Sequence, residues 1–313
     1  MNNNIKEIAF NGMRWIDIKY PGREEINYLR TTFNVHPLDL EDILAPTQRS
    51  KIDKYPNYIF FILLFPVYNR KTREIESSEL DIFFNDDYVI TIHRGDLPPL
   101  IDLFQLCQLS DQARENIFRN STQLMLYDIL NKLFLYCYPI LDHISLDIQN
   151  IKKQIFAGNE KRMVAEILII RRNITDLRKI MQSHNATLQR LMKNSLEHES
   201  KTYRIKKELA DYYDNLLEYS QEIWGQLETF KEVIEALQQT NESLISFKLN
   251  NVMKVLTLIS VIMLPATFVA SLFGVNAEHM PFVGMPHDFT LIALVTFLAA
   301  IIMMIFIWRR RWF

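Results

Sequence analysis

The chain has 313 residues, with 35 Lys and Arg against 37 Asp and Glu, two Cys and seven Gly. A net charge of −2 gives no chain-wide basic surface for nucleic acid, and two cysteines cannot build a disulfide framework or a four-cysteine zinc site. The glycines never adopt the spacing of nucleotide-binding loops. The mean hydropathy of −0.04 is unremarkable, but the apolar residues are distributed unevenly along the chain.

The first hundred residues have the mixed pattern of an α/β domain. Segments rich in β-branched and aromatic residues predict strands at 13–20, 58–67, 79–84 and 88–93, the last two joined by a turn at Asn85. A short helix is expected at Pro37–Leu44, before Pro46. Its polar residues are interpreted as charges on the surface and at the N-terminus of that helix, because no nucleophile with a matching base accompanies them. These polar residues are His36, Asp39, Glu41 and Asp42.

From Ser121 onward the pattern becomes helical. Ser121 is a candidate N-cap for a helix that ends near Gly158. A second helix is predicted over 160–195, and residues 160–197 carry eight basic and four acidic side chains. This excess of positive charge indicates a solvated face, with a partner surface as the alternative.

A third helix carries a long apolar stripe with alternating spacings of four and three, as in a coiled-coil seam. No proline interrupts residues 201–264, so one continuous helix is predicted to lead into the apolar C-terminal part of the chain. Such a helix needs neighbours over its seam, either from this chain or from other subunits. The stripe consists of Ile205, Leu209, Tyr212, Leu216, Tyr219, Ile223, Leu227, Phe230, Ile234, Leu237, Asn241 and Leu244.

Two uncharged segments, 255–273 and 289–308, are 19 and 20 residues long. A bilayer core of about 30 Å requires about 20 apolar residues as helix, so both segments are long enough to span a membrane. Lys residues precede the first segment and Arg residues follow the second, whereas the loop between them, 274–288, contains neither Lys nor Arg. The positive-inside rule then places both termini in the cytoplasm. Together with the absence of a signal peptide, this predicts a multi-pass protein of the plasma (inner) membrane.

The polar and small side chains of the first segment fall on one face of about 120° when plotted at 100° per residue. Small residues on one face are typical of helix–helix packing. The same face would also suit the wall of a water-containing pore, which requires a cyclic oligomer because one hairpin cannot enclose it. Periodicity alone leaves both interpretations open. The face comprises Asn250, Met253, Leu256, Thr257, Ser260, Leu264, Thr267, Ser271 and Gly274.

The sequence from Met253 to Asn276, with Gly274-Val275-Asn276 at its end, resembles the CorA family of magnesium transporters. The likeness continues through Glu278-His-Met-Pro281, and the stretch from His36 to Ile43 also resembles that family. The layout of a long helix followed by two C-terminal spans is similar as well. The resemblance therefore covers nearly the whole chain.

The resemblance implies an α+β membrane protein that forms a funnel-shaped homopentamer for divalent cations. It implies a cytoplasmic α/β domain at 1–120, cytoplasmic helices with the long stalk at 121–252, and a transmembrane hairpin at 253–313. Passive, potential-driven Mg²⁺ uptake is expected, with Co²⁺ and Ni²⁺ as further candidates. The implied partners are other copies of the chain, lipid and the cations themselves, with no nucleic acid, no enzyme activity and no cofactor besides Mg²⁺.

The resemblance also assigns roles to particular residues. Asn276 would form a ring of neutral amides that holds hydrated Mg²⁺ without stripping its water, and Glu278 would concentrate cations near the mouth. Met253 and Leu256 are candidates for a hydrophobic gate. The pore-mouth positions are Gly274, Val275, Asn276 and Glu278; the pore-lining positions are Asn250, Met253, Leu256, Leu264, Thr267 and Ser271; the regulatory metal ligands would be Asp211, Asp214 and Glu218.

Three departures from the family pattern leave alternatives open. Val275 stands where the family usually has Met, and Phe282 stands where a second acidic residue commonly follows. The stalk aspartate linked to Mg²⁺ sensing aligns with Asn215. Val275 together with His279 and His287 favours the alternative of a ZntB-like, proton-coupled Zn²⁺ transporter, because histidine suits Zn²⁺ better than Mg²⁺. A third hypothesis is a membrane-anchored scaffold that transports nothing.

Overall fold

The structure is a computed structural model that describes residues 4–45, 49–119, 121–196, 210–275, 281, 284 and 286–309, without the side chains of 194–196. The chain divides into two compact units, Met1–Gln239 and Thr240–Phe313. The first unit contains a mixed sheet covered by helices. The second contains the apolar part of the chain.

Six strands form one sheet in the order β1-β2-β6-β5-β4-β3. Only β2 and β6 are parallel among these pairs, and the other neighbours are antiparallel. The four predicted strands are confirmed, and the structure adds β1 and β3 at the two edges. The strands are β1 (Ile5–Phe10), β2 (Met13–Lys19), β3 (Lys51–Lys54), β4 (Ile59–Asn69), β5 (Glu74–Phe84) and β6 (Tyr88–His93).

The predicted turn between β5 and β6 is confirmed, and Asn85 stabilises it. Its side-chain oxygen accepts hydrogen bonds of 2.9 Å from the backbone N–H groups of Asp87 and Tyr88. This is the local bonding that makes asparagine a favoured turn residue. The turn fixes the pairing of Phe84 with Val89, which aligns the two central strands.

Helices cover both faces of the sheet. On one face, Ile16, Phe60 and Ile90 form a buried core with α1 (Arg23–Phe33) and α2 (Pro37–Leu44). The prediction of α2 is thereby confirmed at both ends. On the other face, the rings of Trp15 and Phe65 pack edge-on against Phe104 and Phe134. These two rings belong to α3 (Pro98–Leu109) and α5 (Thr122–Phe156); α4 (Asp111–Phe118) lies between them in the chain.

The N-cap prediction at Ser121 is confirmed, but the predicted helix over 160–195 is wrong as a single element. Leu124 N–H donates to the Ser121 hydroxyl at 3.4 Å at the start of α5. The later segment forms α6 (Glu160–Met181) and α7 (His184–Leu196), which are separated by a turn. The buried ring of His184, the first residue of α7, packs against Phe65 and Phe134.

A single helix of 64 residues, α8 (Ala210–Phe273), confirms the prediction of a continuous helix, and it runs through Pro265. Within the first unit, α5 and α6 of the same chain contact it. Tyr138 donates to Glu222 at 2.6 Å, and Arg171 donates to Gln238 at 3.1 Å.

The start of the predicted stripe needs a correction. The predicted positions Tyr212 and Tyr219 are exposed and half-buried, respectively. The next residue in each case, Tyr213 or Ser220, is buried instead, so the buried face of α8 is shifted by one residue at these two positions. Because Tyr213 donates to the carbonyl of Gln123 at 3.2 Å, its ring has a polar partner that permits full burial. Ile205 and Leu209 lie outside the described residues. The buried stripe is Tyr213, Leu216, Ser220, Ile223, Leu227, Ile234, Leu237 and Asn241.

Three helices among the described residues are long and apolar enough to cross a membrane: α5, α8 and α9 (Asp288–Arg309). The most apolar window of α5 is 56% buried within the molecule, as expected of a core helix. The corresponding windows of α8 and α9 are 0% and 6% buried. The two C-terminal helices therefore expose apolar surface that a water-soluble domain would cover.

Candidate functional site

The predicted pore-lining face of α8 is exposed along its whole length in the single chain. Leu264 is 69% exposed, and Met253 and Leu256 are 55% and 54% exposed. The remaining predicted positions, Asn250, Thr267 and Ser271, are exposed as well. The structure thus places all six predicted pore-lining residues on one uncovered face of a continuous helix.

The hydroxyl groups on this face have a common orientation. Each donates its hydrogen to the backbone carbonyl four residues earlier, which satisfies the donor within the helix. The oxygen lone pairs of these side chains then remain as acceptors at an exposed surface. The bonds are Thr257 to Met253 at 2.8 Å, Ser260 to Leu256 at 2.9 Å, Thr267 to Met263 at 2.9 Å and Ser271 to Thr267 at 2.8 Å.

The two apolar helices each have one partly covered stripe. On α8 it follows Leu258, Ile262, Pro265 and Val269, opposite the hydroxyl face. On α9 it follows Ile292, Thr296, Ala299, Met303 and Ile307, of which Ile307 is 6% exposed. Stripes with a spacing of three and four residues are what two helices produce when they pack side by side.

The end of α8 carries the predicted pore mouth. The backbone N–H of Gly274 donates to the Ser271 carbonyl at 3.1 Å, so the last turn tightens before Val275. Gly274 and Val275 are exposed there. Asn276 and Glu278 lie outside the described residues, and their roles remain predictions from the family resemblance.

The predicted regulatory acids lie on the exposed side of the start of α8. Asp211, Asp214 and Glu218 are all exposed, and their carboxylates do not form a metal-sized group within the described part of the chain. Neighbouring Asn215 accepts a hydrogen bond of 3.1 Å from the Tyr127 hydroxyl on α5. The position where the family has a sensing aspartate therefore makes a neutral contact between two helices of this chain.

A second group of acids surrounds Lys51 on β3; two of its members, Asp39 and Asp42, were expected only as helix charges, and Asp53 was not predicted. Asp39, Asp42 and Asp53 have carboxylate oxygens within 4.8 Å of one another. The Lys51 ammonium lies 3.7 Å from Asp39 and 2.5 Å from Asp53, and it also bonds to Asp42. The ammonium thus occupies the position in which these carboxylates would hold a cation.

Asp39 differs from the surface charge expected from the sequence, because its side chain is fully buried. The hydroxyls of Tyr58 and Tyr55 donate to its carboxylate at 2.8 and 3.1 Å. Burial raises the pKa of Asp39, and these hydrogen bonds together with Lys51 oppose that rise. Although partial burial opposes it, hydrogen bonding to Asp42 and Asp53 raises the pKa of Lys51 above its ordinary value. One ammonium therefore offsets only part of the charge of the three carboxylates.

The sequence profile of the family described as CorA-like Mg2+ transporter protein matches residues 10–311 of the chain. The chain is 27% identical over 300 residues to the cobalt/magnesium transport protein CorA of Thermotoga maritima, which covers 95% of this chain and 83% of that protein. The profile match thus includes strands β2 to β6, the long helix and both apolar helices.

Comparison with solved structures gives the same fold. The complete structure of the CorA magnesium transporter from Methanocaldococcus jannaschii superposes with a TM-score of 0.81 at 20% identity, covering 98% of this chain and 94% of that one. The ZntB cytoplasmic domain from Vibrio parahaemolyticus is more distant, with a TM-score of 0.57 at 12% identity over 76% of this chain and 89% of that domain.

Proposed function

We propose, for a chain that belongs to the CorA-like Mg²⁺ transporter family, that five copies assemble around the hydroxyl face of α8 into a membrane pore for Mg²⁺. The observation that carries the proposal is the uncovered face of α8, which presents hydroxyl acceptors and apolar side chains along one line. Both termini lie in the cytoplasm and the 274–288 loop lies outside, in the plasma (inner) membrane. Only α8 and α9 span the bilayer.

The acceptor oxygens on this face suit a hydrated cation. Water molecules bound to Mg²⁺ direct their hydrogens outward, and Mg²⁺ releases them reluctantly. Because the Thr267 and Ser271 hydroxyls already donate within the helix, they can accept hydrogen bonds from such a water shell. Leu264, Leu256 and Met253 interrupt the polar line with apolar rings that narrow and gate the pore by excluding water.

The pore mouth is assigned from the family pattern. A ring of five Asn276 amides selects the hydrated ion at the end of α8, after Gly274 and Val275, and Glu278 attracts cations to it. Mg²⁺ uptake requires no coupling to ATP hydrolysis or to a second ion. An inside-negative membrane potential of 100 mV supplies about 2.3 kcal/mol per charge, and therefore about 4.6 kcal/mol for the inward movement of a divalent ion. Asp211, Asp214 and Glu218 bind cytoplasmic Mg²⁺ between subunits and stabilise the closed state.

The test is reconstitution of the purified chain in liposomes loaded with a Mg²⁺-sensitive dye. We expect a pentamer in detergent, Mg²⁺ influx driven by an inside-negative potential, and block by hexaamminecobalt. Replacement of Asn276 by Ala should abolish most of the influx, whereas a membrane-anchored scaffold would show no influx in either protein. A potential-independent, pH-gradient-dependent flux of ⁶⁵Zn²⁺ would instead establish the zinc alternative.

A further inference from the structure

The tip of the α5–α6 hairpin carries a group of positive charges. Lys152 and Lys153 lie in the last turn region of α5, and Lys161 and Arg162 lie in the first turn of α6. All four side chains are exposed, and none lies within ion-pair distance of an acid among the described residues. Arg162 helps to lower the pKa of Glu166, after the larger effect of the Arg73 hydrogen bond, and it does so without an ion-pair contact.

An apolar ring accompanies these charges. Phe156, the last residue of α5, is 67% exposed at the tip. Two hydrogen bonds stabilise the turn that presents it: the Asn159 backbone N–H donates to the Gln154 backbone carbonyl at 3.1 Å, and the Asn159 side-chain amide donates to the Gln154 side-chain oxygen at 2.7 Å. Gly158 has a φ of 92°, the left-handed conformation of a helix C-terminus that favours glycine.

The direction of α8 within the first unit shows which end of that unit carries the tip. Along α8, the contact with α6 moves from Glu228, paired with Arg178, to Gln238, paired with Arg171. The helices are therefore antiparallel, and within the first unit α8 runs towards the end of α6 at which that helix begins. In the sequence, the uncharged segment of α8 starts at residue 255, 17 residues after Gln238.

We propose that Lys152, Lys153, Lys161, Arg162 and Phe156 form a docking surface for anionic lipid headgroups of the membrane that α8 and α9 span. The inference rests on the proposed function for the membrane assignment of those two helices. Clustered Lys and Arg attract an anionic membrane surface, and an exposed aromatic ring inserts at the headgroup level. This surface tethers the helical hairpin of the cytoplasmic unit to the bilayer and makes its position dependent on lipid composition.

The experiment measures the proximity of the tip to headgroups in the full-length protein. Ala157→Cys, an exposed position that leaves Phe156 in place, carries a fluorescent label; the native Cys107 and Cys137 are buried and stay unlabelled. Vesicles contain phosphatidylcholine alone or with one quarter phosphatidylglycerol, plus a headgroup nitroxide quencher. We expect at least twofold stronger quenching with phosphatidylglycerol, lost in 1 M salt, where the Debye length falls from about 10 to about 3 Å.

Two variants and one reference label make the outcome decisive. Replacement of the four tip cations by Gln should remove the phosphatidylglycerol-dependent quenching, whereas the same change at four other exposed cations should leave it intact. Those control positions are Arg70, Lys71, Lys132 and Arg190. A label at Phe297→Cys, on the exposed side of α9, reports insertion through an acyl-chain quencher.

Quenching at position 157 that is equal in both lipids, or absent while position 297 is quenched, would overturn the docking surface and leave the membrane assignment standing. Absence of quenching at both positions would overturn the membrane assignment itself. If the tip variant changed the oligomeric mass in detergent but not the quenching, the occupant of the surface would be a second copy of the chain, and the lipid proposal would be wrong.

Discussion

The Tyr127 hydroxyl donates a hydrogen bond of 3.1 Å to the side-chain oxygen of Asn215, which joins α5 to the long helix α8. The ring of Tyr127 also meets that of Tyr212 edge-on, with centroids 4.9 Å apart. Burial raises the pKa of Tyr127, so the hydroxyl remains a donor at physiological pH. The contact fixes the register between α5 and the start of α8, beside the proposed regulatory acids.

A double-mutant cycle tests this contact. Tyr127→Phe and Asn215→Ala should each lower the free energy of unfolding by about 1 kcal/mol, because each leaves a polar group without its partner. The double variant should lose about as much as either single variant, since the second change removes nothing further. Denaturant unfolding of the detergent-solubilised protein measures all four states, and full additivity of the two losses would contradict the contact.

Removal of Lys51 should convert the acidic group around it into a cation-binding site. In Lys51→Ala, Asp39, Asp42 and Asp53 lose their counter-charge, so we expect a loss of about 1–3 kcal/mol in unfolding free energy. Divalent cations prefer clustered carboxylates, and Mn²⁺ should therefore restore stability to this variant.

The measurement is the unfolding temperature of the protein against Mn²⁺ concentration. Wild-type protein supplies the baseline for cations bound elsewhere, and Lys51→Ala with Asp53→Asn serves as the matched control with one ligand fewer. A Mn²⁺ response of the single variant no larger than that of wild type would show that the carboxylates separate once the ammonium is gone.

Asp128 on α5 gives a pH dependence with a defined sign. Burial raises the pKa of this carboxyl to about 6, although Arg119 lies 3.2 Å away and opposes the rise. The folded state therefore binds more protons than the unfolded state between about pH 4 and pH 6, and stability falls as the pH rises through that window. Above it, the folded protein carries a largely buried charge, which Arg119 contacts and which Lys132 offsets at longer range.

Replacement of Asp128 by Asn should remove this contribution. Compared with wild type, Asp128→Asn should be relatively more stable at pH 7 than at pH 4.5, and thermal unfolding at the two pH values measures the difference. Asp111→Asn is a suitable control, because Asp111 also pairs with an arginine but its side chain is 94% exposed. An unchanged difference between the two pH values would mean that Asp128 titrates normally.

Local signals made much of the fold predictable from the sequence. The turn at Asn85, the cap at Ser121 and the helix Pro37–Leu44 depend on neighbouring residues, and the structure has all three. The break before His184 was not predictable in this way, because the buried His184 ring packs against Phe65 and Phe134, which belong to other elements of the fold. Tertiary packing there overrides a helical pattern that is locally uninterrupted.

In the candidate site, too, features set by local periodicity were predictable and features set by tertiary packing were not. A period of 3.6 residues was sufficient to place Leu264, Thr267 and Ser271 on one face of α8, and the structure leaves that face uncovered. The acidic group around Lys51 was hidden, because Asp39 belongs to α2 and Lys51 to β3, and only the fold brings them together. Asp39 and Lys51 are 12 residues apart on different elements, so no helix or strand periodicity relates them in the sequence.

Cysteine accessibility distinguishes a pore face from a packing face on α8. Single cysteines at Leu264, Thr267 and Ser271 should react with a water-soluble thiosulfonate in intact liposomes, whereas cysteines at Leu258, Ile262 and Val269 on the partly covered stripe should react at least tenfold more slowly. The cysteine thiolate attacks the thiosulfonate sulfur and displaces a sulfinate, and the thiolate forms readily only in contact with water.

The native cysteines need not be removed for this experiment. Both are buried, and burial raises the pKa of Cys107 to about 11 and that of Cys137 to about 12, so neither forms an appreciable amount of thiolate at pH 7.5. Hexaamminecobalt should slow modification of the pore-face cysteines by competing for the pore, and it should not affect the opposite stripe. Equal reactivity of the two stripes would mean that the hydroxyl face of α8 packs against protein or lipid, and the pore would have to lie elsewhere.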